Sequence, residues 1–344
     1  MKIGLAGYHG SGKTTLFQWL TGAEPDPAKS QLDQSAMAIV PEPRVDELVK
    51  IYAPRKVTRA AIEITDTPGL SRDQEGAAQK LACIREADSL VLVVAGFGGC
   101  DPKAEYQKFY EDLILADMEL VSRRIERVRD SMKRALPKEE KEKMQFELDT
   151  LEKINAGLSS GEPISASGLD KDELKILAAF RLFTQKSCMV LVNTADDEQV
   201  PDRFRGMLGD DIVVLAAPVA LMLELNTMDL EEGRALVEEM GLKTVDKDEV
   251  LRAMMDISGQ MLFFTAGEKE VRTWIVRKNG TALDAAAAIH SDLARGFIRA
   301  EIMSVDDLIR LGSERELKAA GLMRQEAKDY VLRDGDCLFI KFSV

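Results

Sequence analysis

The chain has 344 residues, an apolar fraction of 45% and a formal net charge of −13. That length suits two or three domains with buried cores, and the acidic balance argues against a surface that binds nucleic acid over its whole extent. Four scattered cysteines without a C-x-x-C pair and only two histidines argue against structural zinc, a disulfide scaffold and Ser-His-Asp catalysis, and for a reduced, cytoplasmic setting.

The N-terminus enters a strand, Lys2-Ile3-Gly4-Leu5-Ala6, which leaves no room for a signal peptide. Gly7-Tyr8-His9-Gly10-Ser11-Gly12-Lys13-Thr14 follows and fits G-x-x-x-x-G-K-[ST]. Thr15 to Leu20 then reads as a helix, so strand, glycine loop and helix stand in the order the motif needs. Gly7, Gly10, Ser11, Gly12, Lys13, Thr14 and Thr15 form the candidate phosphate cradle. Its backbone N–H groups and helix N-terminus face phosphate oxygens. Lys13 reaches the terminal phosphates and Thr14 holds Mg²⁺. His9 either touches the nucleotide or faces solvent.

Ala60 to Ile64 is a strand candidate, and Asp66-Thr67-Pro68-Gly69 follows it. This fits D-x-x-G, with Asp66 a water-mediated Mg²⁺ ligand and the Gly69 N–H a γ-phosphate sensor. Lys13 and Gly69 are therefore the catalytic candidates. Leu70 stands where Ras-type enzymes place a water-orienting Gln, so hydrolysis is expected to be slow or to use another device. Between residues 28 and 43, only Ser30 and Ser35 offer a hydroxyl for the switch ligand of Mg²⁺. Ser89 to Val94 is the next strand candidate.

Ile114, Met118, Val121, Ile125, Val128, Met132 and Ala135 are spaced alternately four and three apart. Pro137 interrupts them, and Met144, Leu148, Leu151, Asn155 and Leu158 resume the spacing. The pattern predicts an antiparallel helical hairpin inserted into the α/β domain, with two separate core helices as the alternative. Its basic stretch (Arg123, Arg124, Arg127, Arg129, Lys133, Arg134) either tracks RNA phosphates or pairs with Glu119, Glu126 and Asp130. A Ser/Gly/Pro stretch at 159–168 ends the hairpin, and helix signal resumes from Lys171 to Thr184. Cys188 to Val192 and Ile212 to Leu215 are strand candidates.

Asn193-Thr194-Ala195-Asp196 matches the first and last positions of N-K-x-D, the guanine-reading motif of G proteins; an Asx-rich loop is the alternative. Ala216 and Ala217 fall where a base-contacting Ser-Ala is expected. The last eighty or so residues combine strands (272–276, 337–341), an Ala-rich helix (282–289) and turns at Asn279-Gly280 and Asp334-Gly335, which predicts a small α+β domain. His290 either contacts RNA or bonds locally to backbone. The longest apolar run, 213–223, contains Pro218 and is too short to span a bilayer.

With these residues in hand, the chain resembles the YchF/Obg-like ATPase family of P-loop GTPase-like proteins, as a divergent paralogue. The resemblance covers nearly the whole length. It is strongest at Phe263 to Arg272, Ile289 to Asp292, Gly296 to Glu301, Lys328 to Val331 and Asp334 to Asp336, which look like the family's TGS domain. Ile84 to Asp88 and Leu115 to Glu119 are also similar to family segments. The resemblance implies a Ras-like P-loop domain (1–102 and 186–261), an inserted helical hairpin (103–185) and a C-terminal β-grasp-like TGS domain (262–344). It also implies a hydrophobic residue in place of the catalytic Gln, Mg²⁺-dependent ATP or GTP hydrolysis, and ribosome association through the hairpin and TGS domain. Three departures stand out. Gly10-Ser11-Gly12 replaces the usual Asn-containing loop, which removes the side chain that can ligate an activating K⁺ in related GTPases. Asp196 replaces the usual Glu, which favours GTP over ATP. The segment after Gly69 is short. The expectation is a monomeric purine-nucleotide switch, the alternative a ribosome- or RNA-binding module whose hydrolysis has decayed.

Overall fold

The computed structural model describes residues 1–26, 28, 32–70, 77–161, 168–197, 201–241 and 246–343. Ser30, one of the two switch-ligand candidates, lies outside them. In chain order the elements are β1 (Lys2–Ala6), α1 (Lys13–Thr21), β2 (Gln34–Ile39), α2 (Arg44–Tyr52), β3 (Val57–Thr58), β4 (Ala61–Asp66), α3 (Ala77–Glu86) and β5 (Ser89–Gly96). Then come α4 (Pro102–Met132), α5 (Lys138–Ser159), α6 (Lys171–Ala178), β6 (Cys188–Thr194), β7 (Val214–Ala217), α7 (Val219–Leu225), α8 (Leu230–Met240) and α9 (Lys247–Ile257). The chain ends with β8 (Gln260–Thr265), β9 (Val271–Arg277), α10 (Ala282–Ile289), α11 (Ser291–Arg295), β10 (Phe297–Ser304), α12 (Val305–Leu311), α13 (Glu314–Ala319), β11 (Arg324–Glu326) and β12 (Asp336–Phe342).

Two compact units result, residues 1–36 with 64–245 and residues 37–63 with 246–344. In the first, a sheet of order β2-β4-β1-β5-β6-β7 carries the nucleotide-domain signature. Its β1, β5, β6 and β7 pair in parallel, and β5 and β6 read as near-continuous apolar runs because helices cover both faces. The strand order turns back beside β1, and the loop after β1 lies at that switch point, where open α/β sheets place their ligands.

The heptad spacing becomes α4 and α5. Val121, Ile125 and Val128 meet Leu148, Leu151, Ile154 and Leu158 in one buried seam, closed by Leu177 and Leu182. The first turns of α4 do something the spacing did not announce: Tyr106, Phe109 and Leu113 pack into the nucleotide-domain core with Ala6, Leu92 and Val190. The helix expected over 171–184 stops at Ala178. Leu182 and Phe183 are buried there and the chain turns, with Arg181 at φ +47°.

The second unit is a β-grasp-like α+β arrangement with a sheet of order β11-β10-β12-β8-β9-β3. The unit boundaries differ from the division read from the sequence. The hairpin clusters with the first unit, and residues 37–63 join the C-terminal one. The physical reason is that β3 pairs in parallel with β9 (Val57↔Val271), while α2 buries Val45 and Leu48 against Phe264, Met303 and Cys337. A two-residue strand has no periodicity to find in a sequence.

Candidate functional site

Gly7 leaves β1 at φ +152° and Gly12 enters α1 at φ +97°. A Cβ on Gly7 would stand 2.4 Å from the Val93 carbonyl oxygen, and one on Gly12 would stand 2.1 Å from Asn193 Nδ2. Only glycine fits either place. The loop so formed holds Lys13, buried, with its Nζ donating to the Tyr8 carbonyl at 2.7 Å. Burial pulls the Lys13 ammonium down to about 8, against the favourable charges of Asp66 and Glu105, while Lys80 on α3 adds to the lowering.

Thr14 donates from Oγ1 to Asp66 Oδ2 at 2.7 Å. Burial raises the Asp66 carboxyl above its usual range, with the Thr14 hydrogen bond and the Lys13 charge opposing. Asp66 Oδ1 is buried with no partner, and so is Ser11 Oγ. Such orphaned oxygens are costly unless a ligand completes them. A hydroxyl beside a carboxylate with a spare oxygen fits Mg²⁺ held through oxygens and water. Among the described residues no group of three or more acidic, His or Cys side chains could hold a metal, so phosphate and water would complete the set.

Gly69 lies against this loop. Its Cβ, were there one, would stand 2.9 Å from His9 Cα and 3.0 Å from Lys13 Nζ. Backbone bonds join the two segments: His9 N–H donates to Leu70 O at 3.0 Å and Leu70 N–H to Gly7 O at 3.2 Å. The Leu70 side chain turns away into the core with Ala6, Tyr8 and Leu92. The side chain of His9 is exposed. Ser35 Oγ shares a hydrogen bond with Thr65 Oγ1 at 2.8 Å, so this switch candidate is engaged in the sheet.

At the C-terminal end of β6, Asn193 uses both ends of its amide for scaffolding. It donates to Ser11 O at 3.1 Å and accepts from Val219 N–H at 3.1 Å. Thr194, where a Lys would pack on the base, is buried with its hydroxyl unpartnered. Asp196 is exposed beyond the end of β6. Ala216 packs in the core cluster and Ala217, fully buried, pairs with Asn193 across the sheet, so both shape the strand end. Thr15 is half-buried on the first turn of α1.

Three residues at the site carried no signal in the sequence. Glu105, on the first turn of α4, accepts from Ala95 N–H at 3.3 Å and acts on Lys13. Lys80 acts on Lys13 from α3. Tyr8 donates to Asp112 Oδ2 at 2.6 Å and stands edge-on to Phe109 with ring centroids 5.2 Å apart, which clamps the loop to α4. Elsewhere, His290 takes the local role: its Nδ1 accepts from Asp292 N–H at 3.1 Å and caps α11. The hairpin cations are largely paired, Arg123 with Glu119, Arg124 with Glu147, Arg129 with Glu152 and Lys133 with Asp130.

The family model described as 50S ribosome-binding GTPase matches residues 2–130, and the C-terminal YchF-GTPase model matches residues 261–343. A "Ribosome-binding ATPase YchF" of Haemophilus influenzae is 34% identical over 365 residues, covering 100% of this chain and 99% of the relative. The chain belongs to the YchF family. A Bacillus subtilis YchF of the same description is 31% identical over 369 residues, with both chains covered in full. An "Obg-like ATPase 1" of Oryza sativa is 32% identical over 371 residues, covering 100% of this chain and 92% of that one. The structure of the Schizosaccharomyces pombe YchF GTPase matches with a TM-score of 0.84 at 24% identity, over 99% of this chain and 97% of that chain. The YchF fold thus extends over both units. Among the described residues no helix is long and apolar enough to cross a membrane.

The lowered Lys13 ammonium gives a pH dependence. In the free protein it loses its proton near pH 8; a bound triphosphate would surround it with negative charge and raise that value. Triphosphate affinity should therefore be constant below about pH 8 and fall above it, by up to about tenfold per pH unit, with a proton taken up on binding. Calorimetry in buffers of different ionisation enthalpy measures both. An affinity unchanged from about pH 7 to about pH 9.5 would show that Lys13 does not meet the phosphates.

Proposed function

We propose that the protein binds a Mg²⁺–purine nucleoside triphosphate, hydrolyses it slowly and acts in association with the ribosome. The observation that carries this reading is the convergence of Lys13, Thr14, Asp66 and Gly69 on one glycine-lined loop, with spare buried oxygens on Asp66 and Ser11. Lys13 would leave the Tyr8 carbonyl for the terminal phosphates. Gly69, having no side chain, lets its backbone lie against the same loop. Thr14 would hold Mg²⁺ directly and Asp66 through water; when bound, the ion neutralises charge developing on the phosphate oxygens. Asn193 would position the loop, and Asp196 would accept from guanine N1–H and N2–H₂, a pattern adenine lacks. On that chemistry we assign a guanine preference with relaxed selectivity, against the "ATPase" of the relatives' names.

Leu70 supports slow turnover. Its side chain is built into the core, so no group at that position orients water. The rival reading, an RNA- or ribosome-binding module without hydrolysis, draws on the same Leu70 and on Ser35, whose hydroxyl is engaged by Thr65. Single-turnover phosphate release separates the two. Hydrolysis should be measurable, with Asp66→Ala lowering it more than Leu70→Ala does. Competition in the same assay should show GTP bound more tightly than ATP. No release above the uncatalysed rate leaves the rival; ATP bound tenfold more tightly than GTP ends the guanine assignment.

A further inference from the structure

Leu70 leaves a task without a residue. A Ras-type site orients the attacking water with the side chain that follows the γ-phosphate sensor, and here that side chain is packed in the core. The backbone brings a different side chain to the same place. Gly69 lies so close to the phosphate loop that a Cβ on it would stand 2.9 Å from His9 Cα and 3.0 Å from Lys13 Nζ. His9 therefore flanks the point where the Gly69 segment meets the Lys13 ammonium. Its backbone is fixed there: the His9 N–H donates to Leu70 O at 3.0 Å, and Tyr8 before it is held by Asp112 and Phe109. Gly10 after it has φ +84° and open space where a Cβ would stand. The His9 side chain is exposed and has no hydrogen-bond or ion-pair partner among the described residues. Neighbouring polar side chains are engaged, Thr14 Oγ1 by Asp66, the Tyr8 hydroxyl by Asp112 and Glu105 by the Ala95 N–H.

A neutral imidazole has one nitrogen that accepts a hydrogen bond, and histidine is the side chain suited to exchanging a proton near neutral pH. We propose that His9 is a catalytic residue that accepts a hydrogen bond from the attacking water, the role that Leu70 cannot fill. As the water oxygen bonds to the γ-phosphorus, the bond from phosphorus to the β–γ bridging oxygen breaks, and its electron pair leaves with the nucleoside diphosphate. The water gives one proton to the imidazole, which passes it to the phosphate product. The proposal rests on the hydrolysis reading and deepens it by naming the residue that orients the water.

Single-turnover phosphate release from GTP by the full chain with Mg²⁺, beside two binding measurements, tests it. His9→Ala should lower the rate at least about a hundredfold, the lower end of what a positioned acid–base side chain contributes. His9→Gln puts an acceptor back at that place and should keep the rate within about tenfold of wild type. Affinity for a non-hydrolysable GTP analogue, by titration calorimetry, should stay within about threefold of wild type in both variants, which also shows them folded. GDP with aluminium fluoride mimics the phosphoryl group in flight with its attacking water. It should bind at least about thirtyfold more weakly to His9→Ala than to wild type. Equal rates, or equal affinity for the aluminium fluoride complex, in wild type and His9→Ala overturn the proposal and leave the hydrolysis reading standing. A matching loss of GTP-analogue affinity in His9→Ala overturns it too, because His9 would then serve binding alone. A wild type that releases no phosphate removes the hydrolysis reading, and this proposal with it.

Discussion

Replacing Asp117 by alanine should lower the free energy of unfolding by about 3–5 kcal/mol, the cost of breaking a buried ion pair from one side. Asp117 lies on α4 with 0% exposure. It accepts from Arg85 Nη1 at 3.0 Å, from Thr184 N–H at 2.9 Å and from the Thr184 hydroxyl at 3.1 Å. Burial raises its carboxyl above the usual range even against these donors and the Arg85 charge. Alanine would strand the Thr184 N–H and a guanidinium that stacks over the Phe183 ring with its carbon 4.0 Å from the centroid. Urea unfolding should show a lower midpoint at an unchanged slope. Asp117→Asn keeps the shape and should cost less. A loss below about 1 kcal/mol in the alanine variant would put this pair with ordinary surface bridges.

The pair matters beyond stability because Arg85 sits on α3, the helix that follows the Gly69 segment. The end of α3 away from Gly69 is tied three times over. Arg85 holds Asp117, Arg181 pairs with Glu86 at 2.8 Å, and Lys186 donates to the Arg85 and Ala87 carbonyls. The last of these is buried enough to bring the Lys186 ammonium down to about 8. Asp117 thus joins the C-terminal end of α3 to α4, beside the apolar contact that Ile84 makes with Tyr106, Phe109 and Leu113. The Arg85–Asp117 pair gives a structural reason for two of the segments in which the sequence resembles its family, 84–88 and 115–119.

What was legible in the sequence was what is local. The phosphate loop is contiguous from Gly7 to Thr14, and its glycines are required by backbone geometry that any reader of spacing can infer. The seam of α4 and α5 repeats its apolar residues, so periodicity finds it. The Arg85–Asp117 pair is not local, nor is the approach of Glu105 and Lys80 to Lys13, because tertiary folding alone brings those charges together. Motif position makes Asn193 a candidate base contact; that it also braces the loop against α7 through two hydrogen bonds is visible only in the fold. The role of residues 37–63 was hidden for another reason: α2 and β3 are short and complete a sheet built two hundred residues later. His290 and the hairpin arginines each had two readings, and the local bonding of each is now visible, a helix cap for the first and ion pairs for most of the second.

Gly7→Ala should abolish useful triphosphate binding, with a loss of more than about a hundredfold, or about 2.7 kcal/mol. Two costs act together there, and a second glycine separates them. Gly22, at the C-terminal end of α1, has φ +71° and open space around its missing Cβ. Alanine at Gly22 meets only the left-handed backbone penalty, about 1 kcal/mol of stability, and should leave nucleotide affinity unchanged. Alanine at Gly7 meets a φ of +152° and also a carbonyl oxygen of β5 at 2.4 Å. That oxygen belongs to a central strand paired on both sides, so it does not yield. The loop must move instead, and Tyr8, whose carbonyl holds Lys13 Nζ, moves with it. Ser11 would also lose its bond from Asn193. Isothermal titration of both variants beside wild type reads the difference directly. Affinity within about threefold of wild type in a folded Gly7→Ala protein would mean that the loop binds no phosphate in this conformation.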